Sequence, residues 1–284
     1  MAKIISGIET AQMIRRDLCD KLKNAQIVPH LALIRVGEKG SDLAYENGLR
    51  KTCDKVGIQV STFAFPEDIC MNDLLTEFKK VNDDPDIDGI LVFKPLPVGL
   101  DERIIDRAID PKKDMDCISP ANREKLLSTD GDVYFPCTAE AVIKIIEFSG
   151  KEIKGANAVV IGRSRTVGSP LGLMLISRDA TVTFCHSKTK DIADRCKGAD
   201  IVISACGVAG IIDGDIVRNV SDGCIAIDVG INFVNGKLTG DFVFDEVEPL
   251  VDMITTVPGG VGSVTNTILA SHVAHAAMLK NDLS

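Results

Sequence analysis

The sequence predicts an α/β protein with two lobes, each built around a parallel sheet. Short runs rich in β-branched apolar residues alternate with longer segments of helical apolar spacing. This alternation is typical of β-α-β units, whose strands are parallel and buried on both faces. It pauses at 127–138, a stretch predicted to connect the lobes, and restarts at 158. We therefore predict one domain of 1–138 plus 264–284 and a second of 139–263.

Composition and charge argue against several functional classes. The net charge of −9 disfavours a nucleic-acid surface, which needs a basic face. No apolar run approaches the roughly 20 residues that span a bilayer, and the N-terminus lacks the apolar region of a signal peptide. The nine cysteines are dispersed without any C-x-x-C pair. We expect reduced thiols in a cytoplasmic protein, with no disulfide and no metal site.

In the first domain the apolar pattern changes repeatedly between the helical and the strand period. Gly57 is expected to end the second helix as its C-cap, and a turn rich in proline follows the third strand at 94–97. The predicted elements are helix 8–24, strand 31–36, helix 40–56, strand 58–65, helix 71–82, strand 89–93 and helix 101–109.

The second domain repeats the alternation after a linking helix at 139–149. Its order of elements indicates a doubly wound sheet of the nucleotide-binding type. The predicted elements are strand 158–161, helix 170–177, strand 180–185, a short helix at 189–196, strands 200–204 and 224–228, a hairpin-like stretch at 234–241 and helix 265–280.

A glycine-containing turn, VVIGRSRTVGSP, joins the first strand of this domain to its helix. Gly162 ends the strand, and Ser169 and Pro170 are predicted as the N-cap and first position of the helix. Such a turn points backbone N–H groups at whatever lies above it, which favours a phosphate. The alternative is an ordinary strand–helix turn that needs glycine for its backbone angles.

The residues after the next strand indicate which nucleotide is preferred. A dinucleotide fold selective for NAD carries an acidic residue there, whereas this strand ends in Cys185, His186, Ser187 and Lys188. Together with Arg163 in the glycine turn, these donors suit a 2′-phosphate, so we predict NADP. The alternative is that Arg163 and Lys188 are solvated surface charges.

Two histidines lie three residues apart on the last predicted helix. His272 and His275 share a face, but no acidic or thiol partner lies in register with them. We therefore expect both to be structural.

Several segments in a fixed order resemble the methylenetetrahydrofolate dehydrogenase/cyclohydrolase family. The second domain contributes GRSRTVGSP, CHSKT, AIDVGIN and TVPGGVGSVT, and the first contributes AYENGLRKTCDKVG, DGILVFKPLP, PKKDMDCISPAN and PCTAE. Each segment is weak alone, but their order and spacing are specific and extend over essentially the whole chain.

The resemblance implies two activities and a binding mode. Hydride passes from 5,10-methylenetetrahydrofolate to NADP, and the methenyl product is hydrolysed to 10-formyltetrahydrofolate. The folate substrate is expected in a cleft between the lobes, and the second domain is expected to be Rossmann-like. A homodimer formed mainly through that domain is also implied, with no nucleic-acid or membrane partner.

The resemblance also assigns site residues. Tyr45 and Asp116 match family residues that contact the substrate, and the loop from Pro258 matches one that closes over it. The expected substrate-binding residues are Tyr45, Leu49, Phe93, Lys94, Pro95, Leu96, Asp116, Pro258, Gly259 and Gly260. The expected cofactor-binding residues are Gly162, Arg163, Ser164, His186, Ser187, Ile231 and Thr265.

Two positions depart from the family pattern. The family has a lysine four residues after its tyrosine, where this chain has Leu49, and a glutamine before the proline turn, where it has Phe93. Residues i and i+4 share a helix face, so Leu49 is expected beside Tyr45. Lys51 is two residues beyond Leu49, and at about 100° per residue it lies about 160° from Leu49 by the shorter way around the helix. It is therefore a poor replacement for the family's lysine.

This departure bears on the hydrolytic step. Hydride transfer depends mainly on geometry, whereas hydrolysis needs water activation and proton transfer. We therefore predict dehydrogenase activity with weak or absent cyclohydrolase. Lys94 could return an ammonium group to the site and is kept as a speculative catalytic residue beside Tyr45 and Asp116. The alternative is that Lys94 faces solvent or binds the glutamate tail of the folate.

Two other functions remain open from sequence. One is a folate- and nucleotide-binding paralogue with little catalysis. The other is a dehydrogenase that uses the apolar surface of Leu49 and Phe93 for a different substrate.

Overall fold

The structure, a computed structural model, describes residues 1–127 and 134–281. The chain divides into two compact units, here called unit 1 (1–12 and 138–265) and unit 2 (13–137 and 266–284). Residues 1–12 were predicted with the first domain, but here they fall in unit 1. Residues 128–133, half of the predicted connection at 127–138, lie outside the described residues.

Strands and helices alternate along most of the chain, as predicted. The strands are β1 (Lys3–Ile5), β2 (His30–Val36), β3 (Gln59–Phe65), β4 (Gly89–Val92), β5 (Asn157–Ile161), β6 (Thr181–Cys185), β7 (Ile201–Ser204), β8 (Ile225–Asp228), β9 (Asn232–Val234), β10 (Lys237–Thr239) and β11 (Met253–Thr255). The helices are α1 (Gly7–Ala25), α2 (Gly40–Val56), α3 (Met71–Asp83), α4 (Glu102–Ala108), α5 (Pro120–Lys125), α6 (Cys137–Ser149), α7 (Gly168–Ile176), α8 (Ile192–Cys196), α9 (Gly214–Val217), α10 (Phe244–Val247) and α11 (Gly262–Lys280), with a 3-10 turn at Glu248–Leu250.

Unit 1 is organised around a parallel sheet with strand order β1-β11-β8-β7-β5-β6. Its central strands are buried on both faces, as the continuous apolar runs predict. The chain passes from β5 to β6 on one side and then to β7 on the other. Ligands bind at such a topological switch point, beyond the carboxyl ends of the strands. The antiparallel pair β9–β10, predicted as a hairpin, stands apart from this sheet.

Unit 2 contains a smaller parallel sheet with strand order β3-β2-β4. The switch point here lies between β2 and β4, which places Gly37 and Phe93 at the favoured edge. The predicted C-cap at Gly57 is confirmed, with φ of 82° and its N–H bonded to the Cys53 carbonyl. The core of the sheet includes Ile34, Phe78 and Ile90.

Two strands of unit 1 were not predicted from the sequence. β1 and β11 have three residues each and pair with one another in parallel. A three-residue segment is too short to show the two-residue period of a strand. Their pairing is also the reason that the N-terminal residues fall in unit 1. Within the described residues, no helix is both long and apolar enough to cross a membrane.

Candidate functional site

Helix α2 carries the tyrosine and the leucine expected in the substrate site of unit 2. Tyr45 is 36% exposed, whereas Leu49, four residues later, is 0% exposed. The Tyr45 ring meets the Phe93 ring edge to face, with centroids 5.8 Å apart. Leu49 and Phe93 are both buried, as two apolar replacements should be. Leu49 thus offers no surface to solvent, and its contact with a substrate stays a prediction.

The Tyr45 hydroxyl remains protonated over the physiological range. Burial of the hydroxyl, then the Cys137 thiol and the Asp116 carboxyl nearby, raise the pKa of Tyr45 well above its ordinary value. A group that cannot ionise near neutral pH does not serve as a base there. Tyr45 can therefore offer a substrate its ring and a hydrogen-bond donor, and its contact with a substrate stays a prediction.

A charged network centred on Glu46, the residue after Tyr45, fixes helix α2, and the sequence analysis missed it. Glu46 is buried and accepts hydrogen bonds from Arg35 Nε at 3.3 Å and from Arg50 Nε at 3.1 Å. Thr62 Oγ1 donates to the same carboxylate. Burial opposes ionisation of Glu46, but the bonds from Thr62 and Arg50 and the two guanidinium charges outweigh it and lower its pKa.

Asp116 lies on a loop that the neighbouring Asp114 holds in shape. Asp114 is fully buried, and its carboxylate accepts the N–H groups of Ile118 and Ser119 at 2.9 and 2.8 Å. The Asp116 Oδ1 atom accepts the Cys137 N–H at 2.8 Å. Burial raises the pKa of Asp116, although the N–H and thiol of Cys137 act in the opposite direction. Asp116 is half-buried, and its carboxyl titrates closer to neutral pH than an exposed one.

Lys94 binds the acidic side chains of helix α4. Its Nζ lies in a salt bridge with Asp106 and 3.6 Å from Glu102 Oε2. These contacts commit the ammonium group to two carboxylates and weigh against the idea that it replaces the missing lysine. That catalytic role stays a prediction. In the same turn, Pro95 is exposed and Leu96 is buried in the core.

In unit 1, the glycine turn lies at the switch point between β5 and β7. A side chain at Gly162 would place its Cβ 2.3 Å from the Ala205 carbonyl oxygen, and one at Gly168 would clash with Gly162. The predicted cap at Ser169 is wrong, because the helix begins at Gly168, two residues before the predicted first position at Pro170, and Val167 takes the N-cap position. Ser164 Oγ instead accepts the N–H groups of Val167 and Gly168 at 3.1 and 3.3 Å.

The residues predicted to select the nucleotide lie at the carboxyl ends of two neighbouring strands. β5 pairs with β6 in parallel, so Arg163 and Ser187 follow adjacent strand ends. Arg163, Ser187 and Lys188 are exposed. His186 is held in a local turn, where its Nδ1 accepts the Lys188 N–H at 3.1 Å. An exposed cation and hydroxyl at this edge fit a nucleotide phosphate.

The loop from Pro258 to Gly262, here called the glycine loop, lines a cavity of about 230 Å³ within unit 1. Ile231 and the run from Pro258 to Gly260 contribute to its wall. The loop is tightly packed, because a Cβ at Gly260 would lie 2.5 Å from the Thr256 carbonyl oxygen. Thr265 Oγ1 donates to the Val261 carbonyl at 3.3 Å, which joins the loop to helix α11.

A pair of buried carboxylates beside this cavity was also missed. Asp228 accepts the N–H groups of Gly230, Asp241 and Phe242, each at 2.9 Å. Asp241 in turn accepts the Cys206 N–H at 2.7 Å. Burial raises the pKa of Asp228 to about 6 despite these donors. The sequence signal was the aspartate in AIDVGIN, but its partners are backbone groups that no residue pattern reveals.

Sequence similarity to known proteins extends over both units. Residues 5–116 match the family model for the catalytic domain of tetrahydrofolate dehydrogenase/cyclohydrolase, and residues 136–281 match the model for its NAD(P)-binding domain. The bifunctional protein FolD of Alkaliphilus metalliredigens is 44% identical over 287 residues, covering 100% of both chains.

Two solved structures show the same architecture. The bifunctional FolD enzyme of Campylobacter jejuni has a TM-score of 0.93 and 34% identity, covering 98% of this chain and 99% of its own. The Trypanosoma brucei enzyme, described in complex with NADP and an inhibitor, has a TM-score of 0.91 and 32% identity, covering 100% of this chain and 99% of its own. The chain therefore belongs to the tetrahydrofolate dehydrogenase/cyclohydrolase family.

Proposed function

We propose that this enzyme oxidises 5,10-methylenetetrahydrofolate to 5,10-methenyltetrahydrofolate with NADP and hydrolyses the product weakly or not at all. The observation that carries the proposal is the buried pair Leu49 and Phe93, at the positions where the family has lysine and glutamine, beside a retained Tyr45 and Asp116. The nucleotide turn at Gly162 is retained as well.

The oxidation requires no proton transfer from the protein. A hydride leaves the C1 methylene with its electron pair, and the positive charge that remains is shared by the two folate nitrogens. NADP supplies the hydride acceptor when it is bound. On this proposal the chain binds and orients the folate, with Tyr45 against the pterin and Asp116 on its polar edge.

Hydrolysis makes greater demands on the protein. Water must add to the methenyl carbon and lose a proton before the ring opens to the 10-formyl product. Leu49 and Phe93 cannot accept that proton, and the raised pKa of Tyr45 removes the phenolate. Asp116, whose pKa is also raised, is the remaining base among these residues and accounts for any residual hydrolysis.

The preference for NADP rests on the strand ends of unit 1. Arg163 and Ser187 supply a guanidinium and a hydroxyl, and no acidic residue follows Cys185 directly. The Trypanosoma brucei relative, whose structure is described with NADP, is consistent with this assignment. Exposed arginine fits a 2′-phosphate because its donors form a planar fork.

The test is a parallel assay of both half reactions on purified enzyme. We expect formation of the methenyl product by absorbance with NADP, a slower rate with NAD, and slow loss of added methenyltetrahydrofolate. Hydrolysis faster than oxidation would contradict the weak-cyclohydrolase proposal. Tetrahydrofolate binding without turnover would favour a paralogue with little catalysis, and thermal protection by NADP alone would favour a different substrate.

We also propose a homodimer formed through unit 1. The β9–β10 ribbon carries exposed apolar side chains, with Phe233 76% exposed, and Ile231, directly before β9, is 61% exposed. Apolar groups clustered on a surface often mark a protein interface. Phe233→Glu is expected to lower the molar mass measured by light scattering, whereas Val98→Glu, at a fully exposed site of unit 2, is expected to leave it unchanged. A monomeric wild-type protein would contradict the proposal.

A further inference from the structure

We propose that Cys137 and His272 are positioning residues that hold the Asp116 carboxyl in place by fixing the Met115–Asp116 peptide. The inference rests on the proposed function, in which Asp116 contacts the folate. Neither residue was expected to take part, since His272 was predicted to be structural and Cys137 was only one of the nine cysteines expected to be reduced.

The Met115 carbonyl oxygen is the point at which the two residues meet. His272 Nδ1 lies 2.8 Å from this oxygen, and Cys137 Sγ lies 3.2 Å from it. A carbonyl oxygen has two lone pairs, so these two donors fill its capacity. Met115 and Cys137 are almost fully buried and His272 is buried, so water does not replace either contact.

The arrangement determines the protonation of the imidazole. A carbonyl oxygen only accepts, so Nδ1 of His272 must carry the proton that it donates to Met115. Cys137 Sγ lies 3.7 Å from the same nitrogen, close enough for the thiol and the ring to form one cluster. The Tyr134 ring packs against His272 with centroids 5.3 Å apart, which restricts rotation of the imidazole.

Cys137 connects this cluster to Asp116 itself. Its backbone N–H donates to Asp116 Oδ1 at 2.8 Å, while its thiol donates to the carbonyl of Met115, the residue before Asp116. The Met115 side chain is locked as well, because a Cβ on Gly89 would lie only 2.6 Å from Met115 Cγ. The Met115–Asp116 peptide is therefore fixed at three places: at the Met115 carbonyl, at the Met115 side chain and at the Asp116 carboxylate.

The consequence is a dependence of folate affinity on a histidine that does not touch the folate. A carboxylate that is free to turn loses the orientation on which its bond to the pterin depends, and a displacement of about 1 Å can cost on the order of 100-fold in activity. Loss of the His272 bond should therefore weaken folate binding and leave the nucleotide site of unit 1 unaffected.

The decisive comparison is between His272→Asn and His272→Gln. The amide of asparagine reaches the position of Nδ1, whereas that of glutamine lies one bond farther out, at the position of Nε2. We expect KM for methylenetetrahydrofolate to stay within about two-fold of wild type for His272→Asn and to rise about ten-fold for His272→Gln. KM for NADP should not change in either variant.

Two further variants separate positioning from a general loss of packing. His275→Leu removes the other imidazole whose ring contacts Tyr134 and should leave the folate KM unchanged. Cys137→Ala removes the thiol but keeps the N–H bond to Asp116, so we expect an intermediate rise of about three-fold. The Tm of each variant, measured with and without NADP, reports whether unit 1 is still folded.

The outcomes distinguish this inference from the proposed function. An active wild type with equal folate KM in the asparagine and glutamine variants would overturn the positioning role, as would an equal effect of His275→Leu. If the wild type does not oxidise the substrate, the proposed function fails, and the same ranking is then expected in the Kd for tetrahydrofolate measured by calorimetry. A wild type that does not bind tetrahydrofolate would contradict both.

Discussion

The planes of the Tyr45 and Phe93 rings stand at 81° to one another, so that one ring presents its edge to the face of the other. Such a pair contributes about 0.5–1.5 kcal/mol beyond the area it buries. Phe93 follows β4 and is buried, so it fixes the Tyr45 ring from the strand side. The replacement of the expected glutamine thus supplies a packing partner for the tyrosine.

The first prediction concerns recovery of hydrolysis. Leu49→Lys combined with Phe93→Gln should raise the rate of methenyltetrahydrofolate hydrolysis clearly above that of either single variant. The lysine supplies the proton-transferring group, and the glutamine supplies a hydrogen-bond partner for it. Loss of methenyl absorbance measures the rate.

The single variants serve as controls for this prediction. Leu49→Lys alone places an ammonium group at a position with no exposed surface, which is costly without a partner. Leu49→Met, close in volume, should keep wild-type stability and wild-type hydrolysis. A double variant no faster than Leu49→Lys would contradict the proposal that this pair of residues limits hydrolysis.

The second prediction concerns the choice of nucleotide. Arg163→Ala should raise KM for NADP about ten-fold or more and change KM for NAD little, because only NADP carries the 2′-phosphate. Steady-state kinetics with both nucleotides measures the difference. Arg165→Ala, an exposed arginine two residues later, is the matched control. Equal losses for both nucleotides would contradict the phosphate assignment.

The third prediction concerns stability and pH. Glu46→Gln should destabilise unit 2 by about 3 kcal/mol near neutral pH, because it leaves Arg35 without its carboxylate in a buried place. The folded state lowers the pKa of Glu46 from 4.5, so the carboxylate stabilises the protein above that pH and loses its effect as pH falls through the folded pKa.

The variant and the wild type should therefore converge in Tm as the pH falls below about 4.5. Glu77→Gln breaks an exposed pair with Lys80 and should change stability by less than about 1 kcal/mol. A constant difference in Tm across the whole pH range would show that the Glu46 charge is not responsible.

The fourth prediction concerns the buried carboxylates of unit 1. A Cβ at Gly240 would lie 2.0 Å from Asp228 Oδ2, so Gly240→Ala should destabilise unit 1 by about 1–3 kcal/mol. Gly40→Ala meets no atom within 4 Å and should cause no loss of stability. Calorimetry compares the two variants. Equal stability of both would mean that the Asp228 carboxylate shifts freely.

The sequence was sufficient to predict most of the alternating elements and the glycine turn after β5, because apolar period and glycine position are local signals. It could not predict contacts made with backbone groups. The partner of His272 is the Met115 carbonyl, 157 residues away in sequence, and no residue type at either position encodes that bond. The helix cap was wrongly assigned to Ser169 for a similar reason, since the bonds of Ser164 to the Val167 and Gly168 N–H groups inside the turn leave no residue pattern.

Lys94 illustrates a different limit. Its position after a strand was predicted correctly, but the direction of a long flexible side chain depends on which charges surround it. Asp106 and Glu102 lie on a helix that follows the turn, and together they attract the ammonium group. A sequence pattern places the backbone of such a residue but does not determine its partner.

The complete burial of Leu49 also affects how this chain could change over generations. A return to lysine by one substitution would pass through a protein with a charge in its core, which is less stable than either the present chain or one with both residues restored. Selection for stability therefore opposes the first step, although the final state could be favourable. If hydrolysis is weak as proposed, such a chain would be expected to keep a single activity even where a second one would be an advantage.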